Sequence, residues 1–277
     1  MIDLKFGLFW SGAPLSYLRY LTFASLRHHH PDAEIELYTT DEWSNDNYKW
    51  SCEKQDFEDY SMMSSGTTKD YMGVLPSLNI KILRFCNSAG YAPNYQSDFF
   101  RWWWLKNNNG FYLDTDQIIL KSFNSLDRNY DFITTHYALS WGCDYWPVGV
   151  IGGSGQSEIV KHTHAILPKY YNKEDYNCIG PWAFRSIVSS KVWKDRIGIT
   201  DPSVFYPVGE SSFITPHYQN NDLIIPSNSY AFHWFGGLKA SQEFNRVFSK
   251  DYALSHDDTF SKLCKKNNFW EECRAEL

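Results

Sequence analysis

The order of apolar patterns at the start of the chain restricts the fold more than any other feature. "LKFGLFWSG" is a short apolar run ending at a Gly turn, and it reads as a buried strand. "APLSYLRYLTFASLRHHHP" follows, with Leu15, Leu18, Leu21, Phe23 and Leu26 at roughly helical spacing and a close at Pro31. "AEIELYTTDE" then alternates like a strand. Two strands of one sheet joined through a helix run parallel, because the helix returns the chain to the edge from which it started. The opening therefore predicts an α/β domain with a parallel sheet flanked by helices.

Later segments extend the pattern. "YQSDFFRWWWLKNNNG" predicts a helix with Asn and Gly supplying a left-handed stop. "FYLDTDQIIL" predicts the strand after it, and "DFITTH" another. Residues 43–78 are polar, aromatic and weakly periodic, which predicts a helical or loop insertion. Short strands and helices follow in "YWPVGVIGG", "EIVKHTHAILPKYY", "GPWAFRSIVSS", "VFYPV" and "YAFHWFGG", with no repeat and no low-complexity run. A chain of 277 residues fits one α/β domain with a C-terminal elaboration.

Composition narrows the partners. The 12 Trp, 19 Tyr and 19 Phe supply flat rings that fill a core or pack against bases and sugar faces. A net charge of −6 gives no basic footprint for nucleic acid as the main partner. An acidic protein that handles a phosphate-rich substrate would screen the charge with a bound cation. No apolar run approaches the ~20 residues that span a bilayer, and "MIDLKFGLFW" has the wrong length and flanks for a signal peptide. The cysteines at 52, 86, 143, 178, 264 and 273 form no CxxC pair and no zinc spacing. They predict reduced thiols in a cytoplasmic setting.

The chemistry concentrates in a few places. Asp114 and Asp116 follow the apolar run "GFYL" and share one side of a strand end, because side chains alternate with period two. Two carboxylates that close repel unless a cation or proton lies between them. The pair reads as a site for Mg²⁺ or Mn²⁺, as a nucleophile with its acid, or as a polar turn. Asp98 and Arg101, one helical turn apart, share a face that can approach the same strand end; the alternative is a surface ion pair. "HWFGGLK" presents His233, Gly236 and Lys239 as H-x-x-G-x-x-K. It offers a third metal ligand, backbone N–H groups for a phosphate and a cationic side chain, or simply a buried His beside a Gly turn. The "HHH" at 28–30 ends a helix before Pro31, and three adjacent residues cannot share one helical face; His162, His164, "SHDD" (255–258) and the lone cysteines have no partners at useful spacing.

Together "FWSGAPL" (9–15), "SDFFRWWWLKNNNGFYLDTD" (97–116), "IGPW" (179–182), "VFYPV" (204–208) and "AFHWFGG" (231–237) resemble the DxD-containing glycosyltransferases of the GT-A fold. That family includes initiating mannosyltransferases, capsule enzymes and the catalytic domains of clostridial toxins. The H-x-x-G-x-x-K pattern is also similar to the glycogenin-like family.

The resemblance implies a mixed, mostly parallel sheet, with the nucleotide-binding part over about 1–120 and the acceptor part over about 121–277. It implies that Trp10 stacks on uracil or guanine, and that Asp98 and Arg101 hold donor sugar hydroxyls. Asp114 would contact ribose, sugar or metal, Asp116 the metal outright, and His233 the metal or diphosphate. Trp234, Gly236 and Lys239 would lie near the phosphates, with Asp114, Asp116, Arg101 and Lys239 as the catalytic set. The implied reaction takes a sugar from a UDP- or GDP-sugar to a glycan, lipid-linked, protein or other hydroxyl acceptor, with Mn²⁺ or Mg²⁺ and with retention. With no carboxylate nucleophile in view, retention points to a front-face route assisted by the leaving phosphate.

One departure is that Pro147 and Val148 stand in "YWPVGVIGG" where relatives often carry a polar Asn. Two rival classes are a haloacid dehalogenase-type phosphohydrolase, with Asp114 as nucleophile and Lys239, Asp257 and Asp258 downstream, and a non-catalytic sugar-binding protein of the same fold.

Overall fold

The computed structural model describes residues 1–11, 14–40, 69–86, 91–138, 142–208, 224–237 and 239–269, with only the backbone of Lys239 and Ala240. The opening is β1 (Lys5–Trp10), α1 (Tyr17–His29) and β2 (Glu34–Thr39), the strand–helix–strand order that the sequence predicts. Ser16 caps α1 by accepting from the Arg19 N–H. At the far end Arg27 donates to the carbonyls of His30, Pro31, Ala33, Leu78 and Asn79. A buried guanidinium thus satisfies loop carbonyls that have no helical partner. Most of the insertion expected over 43–78 lies outside the described residues. Its end is a 3₁₀ turn, Met72–Leu78, leading into β3 (Lys81–Arg84).

Next come α2 (Pro93–Asn107), β4 (Asn109–Leu113), β5 (Gln117–Ile119), β6 (Phe132–Thr135), β7 (Tyr137–Ala138), β8 (Asp144–Tyr145) and β9 (Val150–Ser154). The remainder is α3 (Glu158–Tyr170), α4 (Ala183–Val188), β10 (Ile197–Thr200), α5 (Pro202–Phe205), β11 (Ala231–His233), α6 (Lys239–Val247), α7 (Lys250–Ser255) and α8 (Thr259–Asn267). Seven strands form one sheet in the order β10-β6-β9-β4-β1-β2-β3. β1, β2, β3 and β4 pair in parallel, as do β6 and β10, and β9 alone runs the other way between β4 and β6. This is the mixed, mostly parallel, helix-flanked sheet that the sequence implies. One apolar cluster gathers α1, β5, β11 and the C-terminal helices; a second gathers α2, α3 and α4.

Two local expectations are corrected. The helix α2 does not stop in a left-handed residue, because Asn108 is extended (φ −132°, ψ 170°). The chain passes straight into β4, and Gly110 is needed instead because a Cβ there would collide with the Lys5 carbonyl of the neighbouring strand. "FYLDTDQIIL" is also not one strand. It breaks after Leu113, and β5 leaves the main sheet to pair antiparallel with β11.

The three consecutive tryptophans of α2 fix its orientation. Trp102 packs against Phe132 and Phe184, with ring centroids 5.8 and 5.2 Å apart. Trp104 lies over Gly7, where any Cβ would enter its ring, and donates Nε1–H to Glu36 at 2.9 Å. Both are fully buried, each contributing at least the ~1.5–3 kcal/mol of a large apolar side chain. The helix so pinned turns Asp98 and Arg101 toward the C-terminal end of β4.

Candidate active site at the C-terminal edge of the sheet

Parallel pairing brings the C-terminal ends of β1 and β4 to one edge, and β9 enters the sheet at that edge because it runs antiparallel to β4. Ligand sites of open α/β sheets collect where such strand ends meet. Asp114 and Asp116 occupy the turn between β4 and β5. The pairing of β5 with β11 sets His233 opposite Gln117, and the Trp234 N–H donates to the Asp116 carbonyl at 3.0 Å.

One atom from each of Asp114, Asp116 and His233 lies within 4.8 Å of the others. His233 Nε2 is 3.1 Å from Asp116 Oδ1, close but not aligned as a hydrogen bond. Asp116 Oδ1 and His233 Nδ1 are buried without a hydrogen-bond partner among the described residues. The other Asp116 oxygen, Oδ2, accepts the Gly236 N–H at 2.7 Å. Burial opposes ionisation of Asp116, but His233, Arg19 and the Gly236 N–H outweigh it and hold the carboxyl well below the usual range.

These residues fit a divalent cation. Adjacent ligands of an octahedral ion at ~2.1 Å stand about 3 Å apart, close to the observed 3.1 Å between Asp116 Oδ1 and His233 Nε2. An orphaned buried carboxylate oxygen is also the atom an ion would satisfy.

Beside this cluster lies a network centred on Arg101. Its Nη2 is 2.9 Å from Asp98 Oδ1 and 3.3 Å from Asp114 Oδ1. Nη1 donates to the Val148 carbonyl at 2.8 Å, and the guanidinium lies over the Tyr112 ring, 4.7 Å from its centroid. The Tyr112 hydroxyl donates to Asp114 Oδ1 at 2.6 Å. Burial pushes the Asp98 carboxyl up to about 7, with Arg101 opposing and Asp114 adding to the rise. Asp98 and Arg101 therefore meet the DxD turn, as their spacing allowed, and the ion pair is not a solvated one.

Two glycines close the walls. A Cβ on Gly149 would stand 2.7 Å from Asp114 Oδ2, and one on Gly180 would stand 2.9 Å from Asp98 Oδ1. Pro147 and Val148 are buried; Val148 contributes its carbonyl to Arg101 rather than a side-chain polar group.

Other expected residues are placed as follows. Trp10 is buried with the Arg19 guanidinium 4.4 Å over its ring, and Arg19 is also 5.1 Å from the Trp234 ring. Gly236 N–H is engaged by Asp116 rather than turned to an open phosphate position. Lys239 opens α6, and its side chain lies outside the described residues. Asp258 caps α8 by accepting from Ser261, and Asp257 pairs with Lys265 at 2.9 Å, so both carboxylates are engaged away from the DxD turn. That leaves the phosphohydrolase reading without its acidic pair.

Sequence reasoning missed Arg19, Tyr112 and Tyr206. Tyr112 was within reach, since it lies two positions before Asp114 on the same strand face. The Tyr206 hydroxyl accepts the Val150 N–H at 3.0 Å, and its ring is 5.3 Å from that of His233. Nothing local to either ring announces the contact.

Residues 19–133 match the family described as "glycosyltransferase sugar-binding region containing DXD motif". That stretch of the chain is similar to a DXD glycosyltransferase region. The matched segment contains Asp98, Arg101, Asp114 and Asp116 and ends before Gly149, Tyr206 and His233. The enzyme class expected from the motifs is the class of this family.

Among solved structures, the chain is similar to PaToxG glycosyltransferase, at 18% identity over 70% of each chain with a TM-score of 0.49. It is similar to the glycosyltransferase GlyE of Streptococcus pneumoniae TIGR4, at 14% identity over 100% of this chain and 61% of that one, TM-score 0.49. It is also similar to the galactosyltransferase LgtC in complex with donor and acceptor sugar analogs, at 13% identity over 91% of this chain and 100% of that one, TM-score 0.41. The chain thus spans about three fifths of the length of GlyE. A search of curated proteins returns no match. At these identities and scores the matched region, not the structural likeness, carries the assignment. Among the described residues no helix is long and apolar enough to cross a membrane.

Proposed function

We propose that the protein transfers a sugar from a uridine or guanosine diphosphate sugar to a hydroxyl acceptor, with a divalent cation, Mn²⁺ or Mg²⁺, held by Asp114, Asp116 and His233. One observation carries the reading: two neighbouring carboxylates and an imidazole remote from them in sequence converge within 4.8 Å beside the buried Asp98–Arg101 pair. The ion, when bound, supplies charge stabilisation for the diphosphate that departs.

The chain's own groups have distinct tasks. Asp98 and Arg101, pinned by the α2 tryptophans, present a carboxylate and a guanidinium to sugar hydroxyls and fix the sugar against the DxD turn. Tyr112 and Arg101 hold Asp114 in one orientation. Arg19, between Trp10 and Trp234, adds fixed positive charge on the Asp116 side, and Lys239, at the start of α6, is assigned to the departing phosphate. Transfer breaks the bond from the anomeric carbon to the phosphate oxygen, with the electron pair leaving on the diphosphate. The acceptor oxygen bonds to that carbon and its proton passes to the departing phosphate, on the same face, with retention. We read residues 1–277 as a single domain, with the nucleotide-binding part over about 1–120 and the acceptor part over about 121–277.

Isothermal calorimetry of the full chain with UDP and GDP, with and without Mn²⁺, tests the reading. We expect one nucleotide to bind in a metal-dependent way and the matching nucleotide sugar to hydrolyse slowly without acceptor. A chain that binds neither nucleotide with Mn²⁺ present overturns it.

A further inference from the structure

The paired strands β7 and β8 stand at the same edge of the sheet as the DxD turn. β6 runs parallel to β4 across β9, so His136, which follows β6, emerges where Asp114 does. The return strand leads within a few residues from Tyr145 to Gly149, which abuts Asp114. Across from it, Trp182 lies just past Gly180, which abuts Asp98. The Tyr145 and Trp182 rings are 5.9 Å apart. An aromatic wall thus borders Asp98, assigned above to the donor sugar, and Asp114, assigned to the cation.

The wall is half open. Tyr137, Tyr145, His136 and Trp182 are all half-buried, whereas the aromatic residues packed behind them, Trp146 and Phe184, are buried. The facets are not parallel: Tyr137 meets Tyr145 at 43° and Tyr145 meets Trp182 at 86°. A flat base stacks best between parallel faces, whereas a puckered ring with C–H faces and hydroxyl edges fits an angled wall.

Polar groups suited to hydroxyls stand beside the rings. His136 Nε2 is 3.0 Å from Asp144 Oδ1. That contact makes Nε2 the donor and leaves Nδ1, which has no partner among the described residues, to accept from a hydroxyl. Trp146 packs 4.4 Å from His136, and its buried indole N–H has no partner among the described residues.

We propose that His136, the paired strands β7 and β8, and Trp182 form the acceptor subsite, and that the acceptor is a saccharide. The proposal rests on the donor reading for the word acceptor, but the saccharide site is separable from it. Tyr145 and Trp182 stack on the sugar, and His136, oriented by Asp144, accepts from a hydroxyl. The rim carries the His136–Asp144 pair and Arg185, whose Nη1 meets Cys143 Sγ at 3.0 Å, which favours a polar acceptor over an acyl chain.

Saturation-transfer NMR on the full chain with methyl hexopyranosides and common disaccharides at millimolar concentration tests it, with Mn²⁺ plus UDP or GDP titrated in parallel. Circular dichroism checks that Tyr145→Ala, Trp182→Ala and His136→Gln fold. We expect at least one saccharide to bind the wild type. Tyr145→Ala and Trp182→Ala should each weaken it about tenfold, the loss of one aromatic facet. His136→Gln should weaken it less, and nucleotide affinity should change less than about twofold in all three.

A wild type that binds nucleotide but none of the saccharides overturns the proposal. So do variants that lose nucleotide and saccharide in parallel, which would make the wall part of the donor site. Saccharide binding that depends on the wall in a protein that binds no nucleotide would keep the saccharide site and overturn the donor reading instead.

Discussion

Asp98 and Asp116 are largely buried carboxylates of one site, and their surroundings push them in opposite directions. At Asp98 burial dominates and lifts the carboxyl to about 7; the cation paired with it among the described residues, Arg101, is shared with Asp114 and with the Val148 carbonyl. At Asp116 burial acts the same way but is overcome by His233, Arg19 and the Gly236 N–H, so the group stays anionic. The comparison separates two tasks. A carboxylate that keeps its charge without an ion is set to receive one. A carboxylate that titrates near neutrality acts as a switchable hydrogen-bond partner for hydroxyls.

The largest effect should come from removing the first of these. We expect Asp116→Asn and His233→Ala each to lower metal-dependent donor turnover by about 10²–10⁴, the scale of losing a metal ligand. The double variant should be little worse than either single one, because both disable the same ion. Mn²⁺ affinity measured with nucleotide diphosphate decides the point. A His233→Ala protein that binds Mn²⁺ as the wild type does makes His233 a phosphate contact or a core residue.

Next in size is a difference in acid–base behaviour of the metal-free protein. Asp98 has a folded-state value raised from 3.8 to about 7, so the folded state holds this proton more tightly. Its ionisation then removes stability as pH climbs from about 4 to about 7. Asp116 has the opposite sign: its contribution is present above about 4 and is lost as pH falls toward its lowered value. Urea midpoints across pH should lose their falling limb in Asp98→Asn, an effect on the order of 4 kcal/mol. In Asp116→Asn they should lose instead part of the acid-side decline. Identical profiles for the two variants would erase the contrast.

The smallest effect tests the wall between the two groups. Gly149→Ala places a Cβ 2.7 Å from Asp114 Oδ2 and should cost about 1–2 kcal/mol as an overpacked contact. It should raise the donor KM by displacing Asp114, and shift the pH profile set by Asp98 only slightly, because burial and Arg101 act on that carboxyl more strongly than Asp114 does.

Much of the frame was legible in sequence because its causes are local. The strand–helix–strand opening follows from apolar spacing within each segment, and the tryptophan run marks a helix that has to be buried. The approach of Asp98 and Arg101 to the DxD turn follows from helical spacing and the direction of one short connection. The errors were local readings overruled by pairing. Asn108 is extended because β4 begins at once, and the segment after Asp116 leaves the sheet because β11 offers it a partner.

By itself the sequence determined which residue types carry charge, where regular segments begin, and that carboxylates crowd one strand end. Only the tertiary structure decided which groups face those carboxylates. His233 reaches Asp116 through the register of β11 on β5, Arg19 through the packing of α1, and Gly149 and Tyr206 through the antiparallel entry of β9. Periodicity is fixed by a few neighbouring residues, whereas contacts between remote segments depend on the register and burial of the whole sheet.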